Sequence, residues 1–244
     1  AAIIGGTGSG KSTLVQLLLG FRMPTSGEVR MDGMPTQTLS RRTMRDNISC
    51  VLQNATIYSG TIRDNVRMGR LEAGDVEIRE ALEIAQAGEF VNGFSDGIDH
   101  MIRQSGKNLS GGQKQLLCLA AVTVMQPQLL LLDEPTSQLD PIAAGEFFNT
   151  LKRINSELGT TVIITEHRLE NLFPMTDRVV FMRSGSIVSN CSPADAAEKL
   201  RGDDEFFSVL PSSVRIFAKT RQNGQNLRGA PLEVRSARDY LLNN

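Results

Sequence analysis

The stretch Gly5-Gly6-Thr7-Gly8-Ser9-Gly10-Lys11-Ser12-Thr13 follows an apolar run, Ala1 to Ile4, and leads into the helix-like pattern Leu14 to Leu19. This order predicts a strand, a glycine-rich loop and a helix. Glycines allow a tight turn that points successive backbone N–H groups inward, where they and the helix N-terminus bind phosphate. Lys11 is expected to reach the β- and γ-phosphates, and the Ser12 hydroxyl is a candidate ligand of Mg²⁺, which prefers oxygen. The predicted nucleotide-binding residues are Gly5, Gly6, Thr7, Gly8, Ser9, Gly10, Lys11, Ser12 and Thr13.

Composition places the chain among ordinary globular proteins. Its 244 residues, 40% of them hydrophobic, suffice for one large α/β domain or two small lobes. A formal net charge of −1 gives no global argument for nucleic acid or an anionic membrane as partner. Three widely spaced cysteines, Cys50, Cys118 and Cys191, suit neither a disulfide framework nor a zinc site, and favour small buried side chains in a reducing compartment. Because the chain opens inside a predicted core strand, we expect further sequence upstream of it.

Strands alternate with helices along most of the chain. Apolar runs at Ile48–Leu52, Leu129–Leu132 and Thr161–Thr165 predict buried strands, and Pro141–Leu158 predicts a helix that begins after Asp140 and ends at Gly159. A mostly helical pattern fills the residues between the first two strands. The predicted fold is therefore α/β, a P-loop NTPase with a mostly parallel central sheet, an inserted helical subdomain and a short β edge, whose ligands bind at the carboxyl ends of the strands.

Polar side chains follow the predicted buried strands where they end. Hydrolysis of a γ-phosphate needs neutralised charge and an oriented water. Asp133 is suited to hold Mg²⁺ through a water, and Glu134 to activate the attacking water. His167 could donate a hydrogen bond to the developing charge, and Gln53 ends its strand where a functional side chain is expected. The alternatives are a surface turn for the two acids and a structural role for the histidine.

A second phosphate-seeking pattern occupies Leu109-Ser110-Gly111-Gly112-Gln113, where a serine and two glycines begin a helix. One domain cannot easily use two such loops on one nucleotide. In a two-fold dimer, however, the Ser110 loop of one subunit could close on the γ-phosphate that the Lys11 loop of the other holds. Hydrolysis would then depend on assembly.

Six segments together resemble the motifs of the ATPase domain of ABC transporters, and they occur in the family's order over about residues 1–200. They are the phosphate loop Gly5–Thr13, the Q-loop glutamine Gln53, the signature Leu109–Gln113, the Walker B run Leu129–Glu134, the D-loop Ser137-Gln138-Leu139-Asp140 and the switch histidine His167. The resemblance implies an ATP-sandwich dimer, either homo- or heterodimeric, with ATP and Mg²⁺ bound. Gln53 would sense Mg²⁺ and γ-phosphate, and Asp140 would link the two sites.

The resemblance also implies a partner and a location. The domain would work at the cytoplasmic face of the cell membrane, attached to transmembrane subunits or domains, with no nucleic acid expected. Residues 51–65 resemble exporter domains, whereas Thr165–Pro174 resembles energy-coupling-factor importer ATPases. We expect an ATPase domain at 1–200, with its helical subdomain at about 54–125, and a basic C-terminal extension at 201–244. Its part at residues 211–244, which has six basic and two acidic residues, is interpreted as a solvated appendage.

Two alternative functions remain open from the sequence. One is a soluble ABC ATPase of the DNA-repair or translation type, although the heptads or basic aromatic patches that it would need are absent. The other is a weakly active nucleotide-binding scaffold that dimerises without turnover. The presence of Glu134 and His167 argues against this last interpretation.

Overall fold

The computed structural model describes residues 1–53, 56–167, 169–220 and 229–243. The chain forms two compact units, one of residues 1–13 and 164–244 and the other of residues 14–163. None of the helices in the described part combines the length and apolar character needed to cross a bilayer.

The strands and helices are numbered along the chain. The strands are β1 (Ala2–Ile4), β2 (Arg30–Met31), β3 (Met34–Pro35), β4 (Ile48–Val51), β5 (Gly60–Thr61), β6 (Met101–Ile102), β7 (Leu129–Asp133), β8 (Thr161–Thr165), β9 (Val179–Arg183) and β10 (Ser186–Cys191). The helices are α1 (Lys11–Leu18), α2 (Arg41–Asn47), α3 (Ile62–Arg67), α4 (Asp75–Ile84), α5 (Gly88–Asn92), α6 (Gly111–Thr123), α7 (Pro141–Leu158), α8 (Leu169–Leu172), α9 (Ala196–Lys199), α10 (Asp204–Val209), α11 (Ser212–Thr220) and α12 (Val234–Asn243).

In the first unit, β1 is the buried central strand. It pairs in parallel with β8, where Ile3 lies opposite Thr165, and in parallel with β9, where Ile3 lies opposite Val180. Strand β10 closes this edge antiparallel to β9, with positive φ angles of 49° and 81° at Ser184 and Gly185 in the turn. Strands β9 and β10 thus form a β-hairpin around this turn.

In the second unit, β4 and β7 run parallel, from Ile48 opposite Leu129 to Val51 opposite Leu132. Ile48 and Leu131 pack with Val15 of α1 in one buried cluster, as the apolar strand patterns require. Parallel pairs predominate among the long strands of both units, which confirms the predicted α/β class with a mostly parallel sheet.

Helix α7 has the predicted bounds because its two ends are encoded locally. The Asp140 carboxylate accepts hydrogen bonds from the N–H groups of Ile142 and Ala143, both at 2.9 Å, and proline occupies the first turn. At the other end Gly159 takes the left-handed conformation, with φ 67°. The cap, the proline and the glycine therefore set the two ends of this helix by local interactions.

Helices α3 to α6 and the short β5–β6 pair form the predicted helical lobe. The end of α3 lies so close to α6 that a methyl group on Gly69 would overlap the carbonyl of Ala121. The Arg63 guanidinium is paired with the carboxylates of Asp75 and Asp99. The bounds expected for this subdomain, about 54–125, begin with two residues outside the described ones and stay a prediction.

The C-terminal extension is folded, so its interpretation as a solvated appendage is wrong for the described residues. It contains α10, α11 and α12, and its side chains at Phe206, Val214 and Phe217 are buried. Arg183 of β9 donates to Asp203 at 2.6 Å and lies over the Phe206 ring, 4.7 Å from its centroid. The Arg183 hydrogen bond lowers the pKa of the Asp203 carboxyl. The extension therefore packs against β9 of its own unit.

Candidate nucleotide-binding site

The phosphate loop connects β1 to α1 and is shaped by glycine. Gly8 and Gly10 have positive φ angles of 78° and 99°, a region that strongly favours glycine. A methyl group on Gly5 would overlap the carbonyl oxygen of Met182. The N–H of Gly185, in the β9–β10 turn, donates to the Ser9 carbonyl at 2.9 Å. The β9–β10 hairpin therefore supports this loop from within the same unit.

The polar groups of the loop fit a phosphate ligand. Lys11 is only 5% exposed, and its ammonium group donates to the carbonyl oxygens of Gly5 at 2.8 Å and Gly6 at 3.2 Å. The buried Ser9 hydroxyl has no hydrogen-bond partner among the described residues. No atom lies within 4 Å of the position that a methyl group would take on Gly6 or Gly8, so space remains on that side of the loop. A buried cation, a buried hydroxyl and open backbone suit a polyanion.

Side chains at the start of α1 complete the chemistry of the loop. Ser12 and Thr13 follow Lys11 and are exposed. Their hydroxyl oxygens are ligands of the kind that Mg²⁺ prefers, and Mg²⁺ is often shared between one or two side chains and substrate phosphates. Ser12 therefore fits the metal ligand role that the sequence predicts.

His167 follows β8, which runs beside β1 in the first unit. Its side chain is exposed, whereas the preceding Glu166 is only 2% exposed. The Glu166 carboxylate accepts a hydrogen bond from the backbone N–H of His167 at 2.8 Å. Glu166 is not among the site residues that the sequence predicts, although an acid at the end of an apolar strand is a usable signal.

In the second unit, the parallel pairing of β4 with β7 brings Gln53 and Glu134 together. The Gln53 side-chain amide donates to a carboxylate oxygen of Glu134 at 3.3 Å. Glu134 and Asp133 are half-buried, and Glu134 has a φ of 48°, which is uncommon outside glycine. No signal in the sequence predicts this left-handed backbone. Among the residues predicted to act in hydrolysis, Gln53 and Glu134 therefore form a direct contact.

The signature segment begins α6 and closes its own helix end. The Ser110 hydroxyl accepts from the N–H of Gln113 at 3.2 Å, and the Gln113 side chain accepts from the N–H of Ser110 at 2.9 Å. Leu109 is buried, at 7% exposure. A methyl group on Gly111 would lie 3.5 Å from the carbonyl oxygen of Gln138. The signature therefore begins beside the segment that carries Asp140, whose carboxylate caps α7.

Asn65 of α3 is a second residue outside the set of site residues that the sequence predicts. It is 6% exposed, exchanges hydrogen bonds of 2.9 and 3.0 Å with the backbone of Tyr58, and donates to the Thr61 carbonyl at 2.9 Å. An asparagine among the apolar positions of a helix was the available signal. Asn65 fixes the chain that follows the Q-loop glutamine.

The cysteines of this unit are partly buried. Burial raises the pKa of the Cys118 thiol, on α6, to about 11 and also raises the pKa of the Cys50 thiol. Both thiols are therefore protonated at neutral pH, in keeping with their interpretation as small packed side chains.

Comparisons with known proteins identify the family of this chain. The family model described as ABC transporter matches residues 1–137. An ABC transporter ATP-binding protein of Bacillus anthracis is 38% identical over 245 residues, covering 98% of this chain and 43% of that protein. A β-(1→2)glucan export ATP-binding/permease protein of Brucella melitensis is 37% identical over 200 residues, covering 81% of this chain and 33% of that protein. The chain thus spans less than half the length of these relatives.

A solved structure of a bacterial Atm1-family ABC exporter with ATP bound matches with a TM-score of 0.75 and 28% identity, over 85% of this chain and 36% of that one. Exporter-type proteins are therefore present among the relatives, and the importer-like character of Thr165–Pro174 stays a prediction. From its motifs, its fold and these matches, the chain belongs to the ABC transporter family and is an ATP-binding domain of that family.

Proposed function

We propose that this domain hydrolyses ATP to drive a membrane transporter and that it works as an ATP-sandwich dimer. The observation that carries the proposal is the hydrogen bond between Gln53 and Glu134, at 3.3 Å. It joins the predicted water-activating carboxylate to the side chain predicted to sense bound nucleotide. The names of the relatives favour a transporter over a soluble ATPase.

Nucleotide binding is assigned to Gly5–Thr13. In this role Lys11 exchanges the carbonyl oxygens of Gly5 and Gly6, at 2.8 and 3.2 Å, for phosphate oxygens. The loop amides and the Ser9 hydroxyl supply further donors. Bound Mg²⁺ neutralises charge on the phosphate oxygens. Its proposed protein ligands are Ser12, Gln53 and, through a water, Asp133.

Hydrolysis is assigned to three side chains, Glu134, Gln53 and His167. Glu134 orients the attacking water and accepts its proton, and Gln53 holds the carboxylate by its side-chain amide. His167 donates a hydrogen bond where charge increases on the γ-phosphate. Its backbone is fixed by the buried Glu166, 2.8 Å away. None of these steps requires a covalent intermediate with the protein.

The signature residues Leu109–Gln113 are proposed to act on the nucleotide of a second ATPase domain, and Asp140 to link the two sites. The Ser110 hydroxyl lies at the N-terminus of α6, and a phosphate of the second domain would approach it there. In the single domain, the capping box with Gln113 occupies this helix end. Turnover would then require the dimer, and binding to one domain would not.

Transmembrane subunits or domains are the proposed partners, at the cytoplasmic face of the membrane. Five large apolar side chains between residues 56 and 125 are 54–71% exposed: Tyr58, Met68, Leu71, Val76 and Met101. Exposed apolar side chains on one lobe favour a protein interface. This supports a partner that the lobe carrying Asn65 would move.

The decisive experiment replaces Glu134 by Gln, which keeps the shape of the side chain and removes its capacity to accept a proton. We expect steady-state ATP hydrolysis to fall by about 100-fold or more, while an ATP-bound dimer accumulates. Turnover is measured by phosphate release, and dimer formation by size-exclusion chromatography with ATP.

Glu146→Gln makes the same chemical change on an exposed turn of α7 and is the matched control. It should turn over like the unmodified protein. Unchanged ATPase activity in Glu134→Gln would refute the role assigned to Glu134.

A further inference from the structure

The segment that carries His167 is held by hydrogen bonds from outside its own strand. His167 lies between β8, which ends at Thr165, and α8, which begins at Leu169. At the beginning of this segment, the Glu166 carboxylate accepts the N–H of His167 at 2.8 Å, and the N–H of Glu166 donates to the Ile3 carbonyl at 3.4 Å. The first half of the segment is therefore tied to the strand that leads into the phosphate loop.

Three residues after His167, the side chain of Glu170 makes a long-range contact. One of its carboxylate oxygens accepts from the backbone N–H of Ser212 at 2.9 Å and from the Ser212 hydroxyl at 2.7 Å. Ser212 is the first residue of α11, where backbone N–H groups lack partners within the helix. A carboxylate is favoured at this end of a helix because of the helix dipole. Glu170 thus caps a helix that lies 42 residues further along the chain.

Helix α11 provides a firm support for this contact. Val214 is fully buried and Phe217 is 4% exposed. The Phe217 ring packs edge-on against Tyr240 of α12, with 4.9 Å between the centroids. A helix held by packed side chains transmits a constraint to the residue that it binds, whereas a solvated appendage would not.

We propose that Glu170 is a positioning residue, which with Ser212 fixes the segment that bears His167 and thereby makes ATP turnover depend on the C-terminal extension. This inference rests on the proposed function, in which His167 acts at the γ-phosphate. The nucleotide-binding residues Gly5–Thr13 are not in this contact. Loss of the contact should therefore lower kcat and leave the KM for ATP nearly unchanged.

The test compares Glu170→Ala, Glu170→Gln and Ser212→Ala in the complete protein. Glu170→Ala should lower kcat about tenfold, a part of the roughly 10²–10⁴ that a positioned proton-transfer group contributes. Glu170→Gln keeps an acceptor oxygen and should stay within about threefold of the unmodified protein. Ser212→Ala should have an intermediate effect alone and little further effect on top of Glu170→Ala, because both changes remove the same contact. Glu233→Ala, an exposed acid before α12, is the control and should leave kcat unchanged.

Hydrogen exchange gives a readout that does not depend on activity. The Ser212 amide should exchange slowly in the unmodified protein and in Glu170→Gln, and quickly in Glu170→Ala. An unmodified protein without ATPase activity would refute the proposed function, and the exchange data would still test the contact. An active protein in which Glu170→Ala keeps the normal kcat, or in which Glu170→Gln loses as much as Glu170→Ala, would overturn the positioning role. A fast-exchanging Ser212 amide in the unmodified protein would also overturn it.

Discussion

Two helices, α1 and α6, begin at sequences typical of phosphate binding, and their N-termini differ in how far the polar groups are already hydrogen-bonded. At the start of α1, the Ser9 hydroxyl is buried without a partner among the described residues, and Lys11 is held by backbone carbonyls. At the start of α6, Ser110 and Gln113 satisfy each other in a capping box. The first end is prepared for a ligand from outside, whereas the second is complete as it stands.

This difference suggests different moments of action for the two loops. A phosphate that binds at α1 gains donors that the fold has not satisfied, and this favours binding by a single domain. A phosphate at α6 must share or replace existing hydrogen bonds, so it gains less there. The phosphate loop is therefore suited to affinity, and the signature loop to a contact made only when a second domain brings its nucleotide.

Lys11→Ala removes the cation from the N-terminus of α1 and should have the largest effect on ATP binding and turnover. We expect ATP affinity to fall strongly and turnover to fall by about 1000-fold, since a buried charged donor at the transferring phosphate is lost. Titration with a fluorescent ATP analogue and a phosphate-release assay measure the two effects. Lys152→Ala, an exposed lysine of α7, is the control. Retention of normal ATP affinity in Lys11→Ala would place the phosphate site elsewhere.

Ser110→Ala tests the N-terminus of α6, where Ser110 and Gln113 form the capping box. We expect turnover to fall by about 100-fold with nearly unchanged nucleotide binding by the monomer, and the unfolding free energy to fall by about 1 kcal/mol. Ser40→Ala is a matched control, because Ser40 caps α2 by accepting from the N–H of Thr43 at 3.0 Å. Ser40→Ala should lower the unfolding free energy by a similar amount and leave ATP turnover unchanged. Collapse of monomer ATP affinity in Ser110→Ala would contradict action on a second domain's nucleotide.

Gly5→Ala and Gly6→Ala separate packing from ligand access in the phosphate loop. A methyl group on Gly5 would overlap the Met182 carbonyl, whereas a methyl group on Gly6 would have no atom within 4 Å. We expect Gly5→Ala to lower the unfolding free energy by about 2 kcal/mol, and Gly6→Ala to change it little. Denaturant unfolding without nucleotide checks both. Equal losses in the two variants would show that the hairpin is not what restricts Gly5.

The Cys118 thiol reports on α6 with the smallest expected effect. Its pKa of about 11 leaves roughly one thiolate in a thousand at pH 8, so alkylation by iodoacetamide should be slow in the native protein and fast in denaturant. Because the folded pKa is raised, its contribution to stability is complete below the unfolded value of about 8.5 and is lost as the pH rises through about 11. The unfolding free energy of Cys118→Ser should consequently depend less on pH between 9 and 11. Rapid alkylation of the native thiol would show that α6 opens readily.

The elements that sequence predicted best carry their own local signals. Asp140, Pro141 and Gly159 define α7, and the four leucines of β7 define a buried strand. The shared edge of Gln53 and Glu134 followed from parallel strand order, since neighbouring parallel strands end on the same side. The left-handed backbone of Glu134, in contrast, is not encoded by any local pattern.

The C-terminal helices were missed because their stability comes from distant residues. Helix α10 has six residues and α11 has nine, too short to be stable alone. Phe206 is secured by Phe181 and Arg183 of β9, and the N-terminus of α11 by Glu170. Periodicity within each segment carries no trace of these partners.

Two turns with nearly the same backbone illustrate how differently a surface loop tolerates engineering. Asp32 and Gly33 have φ angles of 49° and 79°, and Ser184 and Gly185 have 49° and 81°. Open space surrounds both turns, because no atom lies within 4 Å of a methyl group placed on Gly33 or on Gly185. A peptide tag or fluorophore attachment site at Asp32–Gly33 extends the short β2–β3 hairpin. The same insertion at Ser184–Gly185 removes the donor to the Ser9 carbonyl. The first hairpin is thus the place for a label, and the second carries a hydrogen bond on which the phosphate loop relies.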